Sequence, residues 1–246
     1  MIDPLLILYR PQQFYRKLFE SWPQFGKLMA TIGLTMLVWG VCQYVTSKLL
    51  MHQLGLDQAF RAPEGVAAGA GIFQAMWIFF CWLMLSVAVA LGATFHARPF
   101  ETTGYALAVS IPVVLVSMLI QMLVISGLPA ITPAEMQSIL NHQNGTLIGK
   151  LVIHAEELYV RHPLVITSQI LMLGTVLWQV WVIQQALQVS DVPTMRRIVF
   201  STVLAVVFGL LQYNFSPHWR ILQEGVLRTI TQPEFQQVPP KGGSEL

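Results

Sequence analysis

Five apolar runs, each near the length of a bilayer crossing, divide this chain, and short polar stretches separate them. The runs are Leu28 to Thr46, Val66 to Thr94, Gly104 to Ile125, Leu164 to Leu187 and Ile198 to Phe215. At about 1.5 Å per helical residue the first just covers a hydrocarbon core of about 30 Å, while a helix built from all of the second would reach about 44 Å. None of the five contains Asp, Glu, Lys, Arg or His. The pattern predicts an all-α polytopic membrane protein with five transmembrane helices and flanking interfacial amphipathic helices.

The polar intervals carry their own periodicity. From Pro11 to Trp22, Phe14, Tyr15, Leu18, Phe19 and Trp22 fall on one helical stripe, with Arg16, Lys17 and Glu20 opposite. Proline at the start and Pro23 at the end bound that helix, and its aromatic residues suit the membrane–water interface. An interfacial anchor is expected, with docking on a partner helix as the alternative. Ser47 to Gly65 reads as a loop, and His96 to Thr103 as a tight polar turn between the second and third runs. In Ser126 to Pro163, Thr132-Pro133-Ala134-Glu135 is a helix-start signal. After the Asn144-Gly145 turn, an amphipathic stripe runs from Leu147 to Tyr159. His218 to Ile230 reads as a second interfacial helix, because its three charges would each cost roughly 2.5 to 3.5 kcal/mol at a helix centre. Three regions result: residues 1–27, an interfacial segment; 28–215, the five-span membrane domain; and 216–246, an amphipathic helix with a disordered Pro/Gly-rich tail.

Composition narrows the class. Hydrophobic residues make up 54% of the chain against 11% charged, where a soluble domain carries about 25% charged residues. A net charge of +2 with scattered basic residues gives no footprint for nucleic acid. Cys42 and Cys81 lie within apolar runs, where thiols behave as small hydrophobes. The N-terminus lacks the pattern of a removable signal peptide, so the first span is expected to direct insertion. Arg10, Arg16, Lys17, Lys27, Arg98, Arg196 and Arg197 are packed close to span ends on one face. Lys48, Arg61, Lys150, Arg161, Arg220, Arg228 and Lys241 are spread over long segments on the other. The positive-inside rule therefore places the N-terminus in the cytoplasm and the C-terminus outside.

Candidate chemistry is sparse. Ala67, Gly71 and Ala75, then Ala88 and Gly92, then Gly104 and Ala108, recur at four-residue spacing and read as helix-packing seams. Pro112 predicts a kink whose freed carbonyls Ser110 or a neighbouring helix can fill. Gln121, Gln169 and Gln179 read as interhelical glue, with a solute path past them and Pro112 as the alternative. His154, Glu157 and His162 lack the spacing of a metal site, and no His-Glu-x-x-His or Gly-x-Ser-x-Gly motif is present. No metal and no cofactor are expected.

Three short motifs carry a family resemblance. Arg10-Pro11-Gln12-Gln13-Phe14 through Trp22-Pro23 forms a Pro-x-x-Phe helix ended by proline before the first span. Phe100-Glu101-Thr102-Thr103-Gly104-Tyr105-Ala106, followed by Ile111-Pro112, gives a Phe, a Gly-Tyr pair and a proline around the central turn. Trp178 through Val189-Ser190 matches the fourth span and the turn after it. In these the chain resembles the Yip-domain family of integral membrane proteins, whose eukaryotic members interact with Rab-type GTPases. It departs at Gly92-Ala93, where the family commonly has Gly-Gly, and in the long Ser126 to Pro163 loop. The segment before Leu28 is also short where eukaryotic members carry a long cytoplasmic region. The resemblance implies five spans, a cytoplasmic N-terminus and a bacterial-type member in a bacterial cytoplasmic (inner) membrane.

A non-enzymatic protein is expected, one that recruits or organises membrane or cytoplasmic proteins, or copies of itself, within the lipid bilayer. Its contact residues would be Arg98, Phe100, Glu101, Gly104 and Tyr105. The alternative is a small-solute transporter or channel subunit. General acid–base chemistry needs titratable groups that the five runs do not supply.

Overall fold

The computed structural model describes residues 5–53, 63–92, 98–128, 159 and 162–215. All regular structure among them is helical: α1 (Leu6–Tyr9), α2 (Pro11–Glu20), α3 (Phe25–Gln53), α4 (Pro63–Gly92), α5 (Pro99–Ala108), α6 (Ile111–Ser126), α7 (Pro163–Val189) and α8 (Thr194–Phe215). Among the described residues, four stretches are long and apolar enough to cross a membrane: Phe25–Gln53, Ala67–Gly92, Pro99–Ser126 and Pro163–Val189. Between 28% and 44% of each apolar stretch is covered by the rest of the protein. Among the rest, Leu37, Ile72, Leu123 and Ile170 face outward, as contact with lipid requires.

The helices pack as neighbours in an order set by their connections. α3 lies against α4 and α6, α6 against α7, and α7 against α8. Where α3 crosses α4 the backbones approach closely at Gly40 and Gly71. A Cβ on Gly71 would stand 2.7 Å from the Gly40 carbonyl oxygen and 3.1 Å from Tyr44 Cβ, so only glycine permits this separation. The main core joins α2, α4, α5 and α7 through residues such as Tyr15, Trp82, Leu107 and Ile183. A smaller cluster at the opposite end holds Val124, Ile125, Leu128, Tyr159 and Val165.

Element ends differ from those read in the sequence. α3 continues past Thr46 to Gln53, so Lys48 stands on the helix and pairs with Glu64 of α4 at 3.1 Å. Glu64 therefore belongs to a helix rather than to a loop. The third crossing begins at Pro99 rather than Gly104, because Pro99 and Glu101 occupy its first turn, where proline costs no hydrogen bond and a carboxylate complements the helix dipole. It is then broken between α5 and α6, with Pro112 in the first turn of α6. α8 begins at Thr194 rather than Ile198, so Arg196 and Arg197 stand within it. The helix-start signal at Thr132, the stripe from Leu147, His154, Glu157 and the stretch from His218 lie outside the described residues.

Candidate functional site

Two arrangements bear on function, a latch at one end of the bundle and a polar seam inside it. The latch starts from α2, in which Pro11, Phe14, Tyr15 and Leu18 at helical spacing are all buried and the helix packs on α7. Phe14 meets Tyr105 edge to face at 5.2 Å. The Tyr15 hydroxyl donates to the Thr102 carbonyl at 2.9 Å. Burial first, and then the neighbouring Tyr105, hold the Tyr15 phenol well above the usual tyrosine range.

Arg98 closes the latch from the other side. Its guanidinium donates through Nη1 to the Leu18 carbonyl at 2.5 Å, placing a cation at the C-terminal end of α2, where the helix dipole favours it. Through Nε it pairs with Glu101 at 2.9 Å. The other oxygen of Glu101 accepts the backbone N–H of Gln24 at 3.2 Å, tying the start of α3 to α5. Arg98 holds these partners from a left-handed backbone at φ 45°, a conformation costly for a residue with a Cβ. Beneath the latch, the Trp82 indole donates to the Phe100 carbonyl at 3.0 Å, and Ser86 and Thr103 share a hydrogen bond at 2.7 Å. A Cβ on Gly104 would stand 2.5 Å from Leu28 Cδ1 and 3.3 Å from Trp82 Nε1.

The structure brings Arg98, Glu101, Gly104 and Tyr105 together, but they face their own protein. Glu101 and Gly104 are buried, Tyr105 is half-buried against Phe14, and Phe100 is the member of the set that is largely open, at 48% exposure. The anchor stripe divides in the same way. Phe14, Tyr15 and Leu18 are covered by the protein itself, against α5 and α7, and Phe19 is half-buried. Trp22, at 89% exposure, points outward. An apolar stripe satisfies its hydrophobic drive equally on lipid or on protein, and here protein covers it.

The polar seam begins at the break in the third crossing. The Leu107 carbonyl accepts from the Ser110 amide at 3.0 Å, the Ser110 hydroxyl at 2.6 Å and Gln179 Nε2 of α7 at 3.5 Å. Ser110 in turn accepts the indole N–H of Trp39 of α3 at 3.0 Å. Pro112 itself is exposed to the outside of the bundle. Deeper, Ser117 and Ser168 share a short hydrogen bond and Gln121 donates to Ser117 at 3.5 Å. Beside them is a cavity of about 40 Å³ between α3, α6 and α7, with Gln43, Thr46, Ser117 and Gln121 among its walls. That is room for a few waters. Gln121 thus reaches the cavity, Gln179 serves the broken helix, and Gln169 is buried with an amide nitrogen that lacks a partner; the three do not line one path with Pro112.

The small residues fall on several contacts. Ala67 and Gly71 are buried and Ala75 is half-buried, the last two facing Gly40 of α3. Ala88 packs on the main core, Gly92 meets the Phe200 ring of α8, and Ala108 is half-buried at the break. Sequence reasoning passed over Gln24, Trp39, Gly40 and Trp82. Of these, only Gly40 carried a signal, its seven-residue spacing from Gly33. Compared with known proteins, the chain matches no family model, no curated protein and no solved structure.

Proposed function

We propose that this chain is a non-enzymatic integral membrane protein that holds a partner protein on the membrane face where α2 is latched. The observation that carries this is the latch itself: Tyr15, Arg98, Glu101 and Gln24 fix α2 and the α2–α3 link against α5. A fixed surface presents side chains at low entropic cost to a partner. Phe100 and Trp22 remain outward beside the Glu101–Gln24 contact, with Arg16 and Lys17 on the open face of α2. The contact set is accordingly Phe100 and Trp22, rather than the ion-paired Arg98 and Glu101.

In this reading α8 is the fifth crossing, the N-terminus is cytoplasmic, the C-terminus is outside and the protein is a bacterial-type relative of the Yip-domain family. The motif residues Phe14, Tyr105 and Gly104 sit in the latch, which supports that kinship through their structural role. A photo-crosslinker placed at Phe100 or Trp22 should capture one discrete protein that a crosslinker at the outward Leu37 does not. Equal labelling from all three positions, or lipid adducts alone, would reject recruitment at this face. Site-directed cysteine labelling of residues 22 and 191 from the cytoplasm checks the orientation.

The small-solute reading draws on the cavity beside Gln43 and Gln121. It is the weaker of the two because Gln179 and Pro112 have other surroundings. Flux of a small neutral solute through proteoliposomes, abolished by Gln121→Leu, would favour it over recruitment.

A further inference from the structure

The inward face of α8 carries two donors without acceptors. Arg197, Ser201, Leu204 and Phe208 follow one another at helical spacing; the last three are buried, and Arg197 is half-buried with a buried Nε. Neither Arg197 Nε nor Ser201 Oγ has a hydrogen-bond partner. Ser201 is unusual in this, since Thr35, Thr46, Ser86 and Thr202 each donate to the carbonyl four residues back. Its neighbour Arg196 is already engaged, donating to the Gly92 carbonyl at 2.7 Å. Glu101 is held by Arg98 and Gln24, and Asp191, at the start of the same turn, is exposed.

A buried donor left unpaired costs roughly 1–3 kcal/mol, and more when it is charged. Two of them one turn apart on a helix lie about 5–6 Å from each other at Cβ, close enough for one multi-oxygen acceptor to serve both. Guanidinium with an adjacent hydroxyl is a donor pair suited to phosphate, which guanidinium can meet with paired N–H groups. The depth also fits. Arg197 stands in the first turn of α8 with Arg196 beside it, and the helix is mainly apolar thereafter; on the reading of α8 as the fifth crossing, on which this inference rests, the pair lies where a crossing helix meets the headgroups.

We propose that Arg197 and Ser201 bind the phosphate of an anionic phospholipid headgroup, held against the inward face of α8 near the α7–α8 turn. The lipid supplies the acceptor that the protein lacks at this point.

The test uses full-length protein purified in mild detergent and exposed to vesicles of phosphatidylglycerol or phosphatidylcholine, with retained lipid counted by native mass spectrometry. Wild type should retain phosphatidylglycerol about tenfold over phosphatidylcholine, Arg197→Gln should lower that retention about tenfold, and Ser201→Ala about threefold, in line with the loss of hydrogen bonds of ordinary net strength. Lys17→Gln removes the same charge from the open face of α2 and should leave retention unchanged. Retention by Arg197→Gln equal to wild type, or an equal fall in Lys17→Gln, would overturn the site. Thermal protection by inorganic phosphate alone, matching that by the lipid, would overturn the lipid assignment. Should Arg197→Gln not fold, Ser201→Ala decides alone, and wild-type retention by that variant rejects the proposal.

Discussion

Tyr15 and Thr102, 87 residues apart in the chain, are joined by a hydrogen bond of 2.9 Å from the phenol hydroxyl to a backbone carbonyl. The bond lies in fully buried surroundings and fixes the rotation of α2 about its own axis, turning Phe14 toward Tyr105 and Arg16 and Lys17 outward. Tyr15→Phe keeps the ring and removes the hydroxyl. The loss should be about 1 kcal/mol from the bond, as the Thr102 carbonyl loses the phenol donor, read as a lower thermal midpoint in detergent.

The same phenol makes the latch sensitive to alkali. Its folded pKa is raised because burial disfavours the phenolate. The stability it contributes is therefore fully present below the unfolded value of about 10 and is lost as pH climbs from there toward the folded value. Thermal midpoints should be flat from neutral pH to about 10 and then fall, and Tyr15→Phe should shallow that fall. An unchanged slope in the variant would assign the alkaline loss to other groups.

Arg98 and Glu101 form a pair whose side chains are 17% and 7% exposed, so neither can easily be left alone. Arg98→Gln strands the carboxylate with one backbone N–H, and a cost of about 3 kcal/mol is expected, the low end for broken buried pairs because Arg98 is partly open. Adding Glu101→Gln should recover part of it. Limited proteolysis between Ser21 and Gln24 gives the readout, with faster cleavage in Arg98→Gln than in the double variant.

Ser110 and Gln179 both serve the Leu107 carbonyl, yet their removal should differ. Gln179→Leu leaves the two Ser110 bonds in place and should cost under about 1 kcal/mol, as interhelical polar contacts in membranes commonly do. Ser110→Ala also deprives Trp39 Nε1 of its acceptor, and a half-buried indole N–H without a partner raises the expected cost to about 1–2 kcal/mol. Tryptophan emission should shift in Ser110→Ala and stay fixed in Gln179→Leu.

Two glycine substitutions separate packing from propensity. Gly71→Ala meets the Gly40 backbone at 2.7 Å and should destabilise the α3–α4 pair by about 1–3 kcal/mol. At Gly33 a Cβ meets nothing within 4 Å, so Gly33→Ala should be neutral or gain up to about 1 kcal/mol of helix propensity. Thermal midpoints of the two variants in one detergent make the comparison.

The long apolar helices were legible because bilayer thickness sets run length and excludes charge, which is why α3, α4 and α7 were located from residues alone. Their ends were less so: Lys48 reads as a loop residue until Glu64 is seen across from it. The direction in which α2 faces was not legible at all. Phe14 and Tyr15 alternate with basic residues in the same pattern whether lipid or protein covers them, and the partners that decide it, Thr102 and Arg98, lie some eighty positions away. Pro99 and Glu101 did carry a helix-start signal, which the neighbouring polar residues made look like a turn. At Pro112 the expected break is present with Ser110 in its filling role, but Gln179 as the second partner needed the fold.

The long sequence separation of the latch has a consequence in time. A chain made at roughly 5–20 residues per second exposes α2 for about 4 to 17 seconds before Thr102 has been polymerised, with Phe14, Tyr15 and Leu18 uncovered throughout. Because α2 packs on α7 as well as α5, it can settle fully only after the chain has been made through Pro163–Val189. Docking of α2 therefore records that α3 to α7 have been built, and a chain stalled before Thr102 carries a visible apolar flag for quality control.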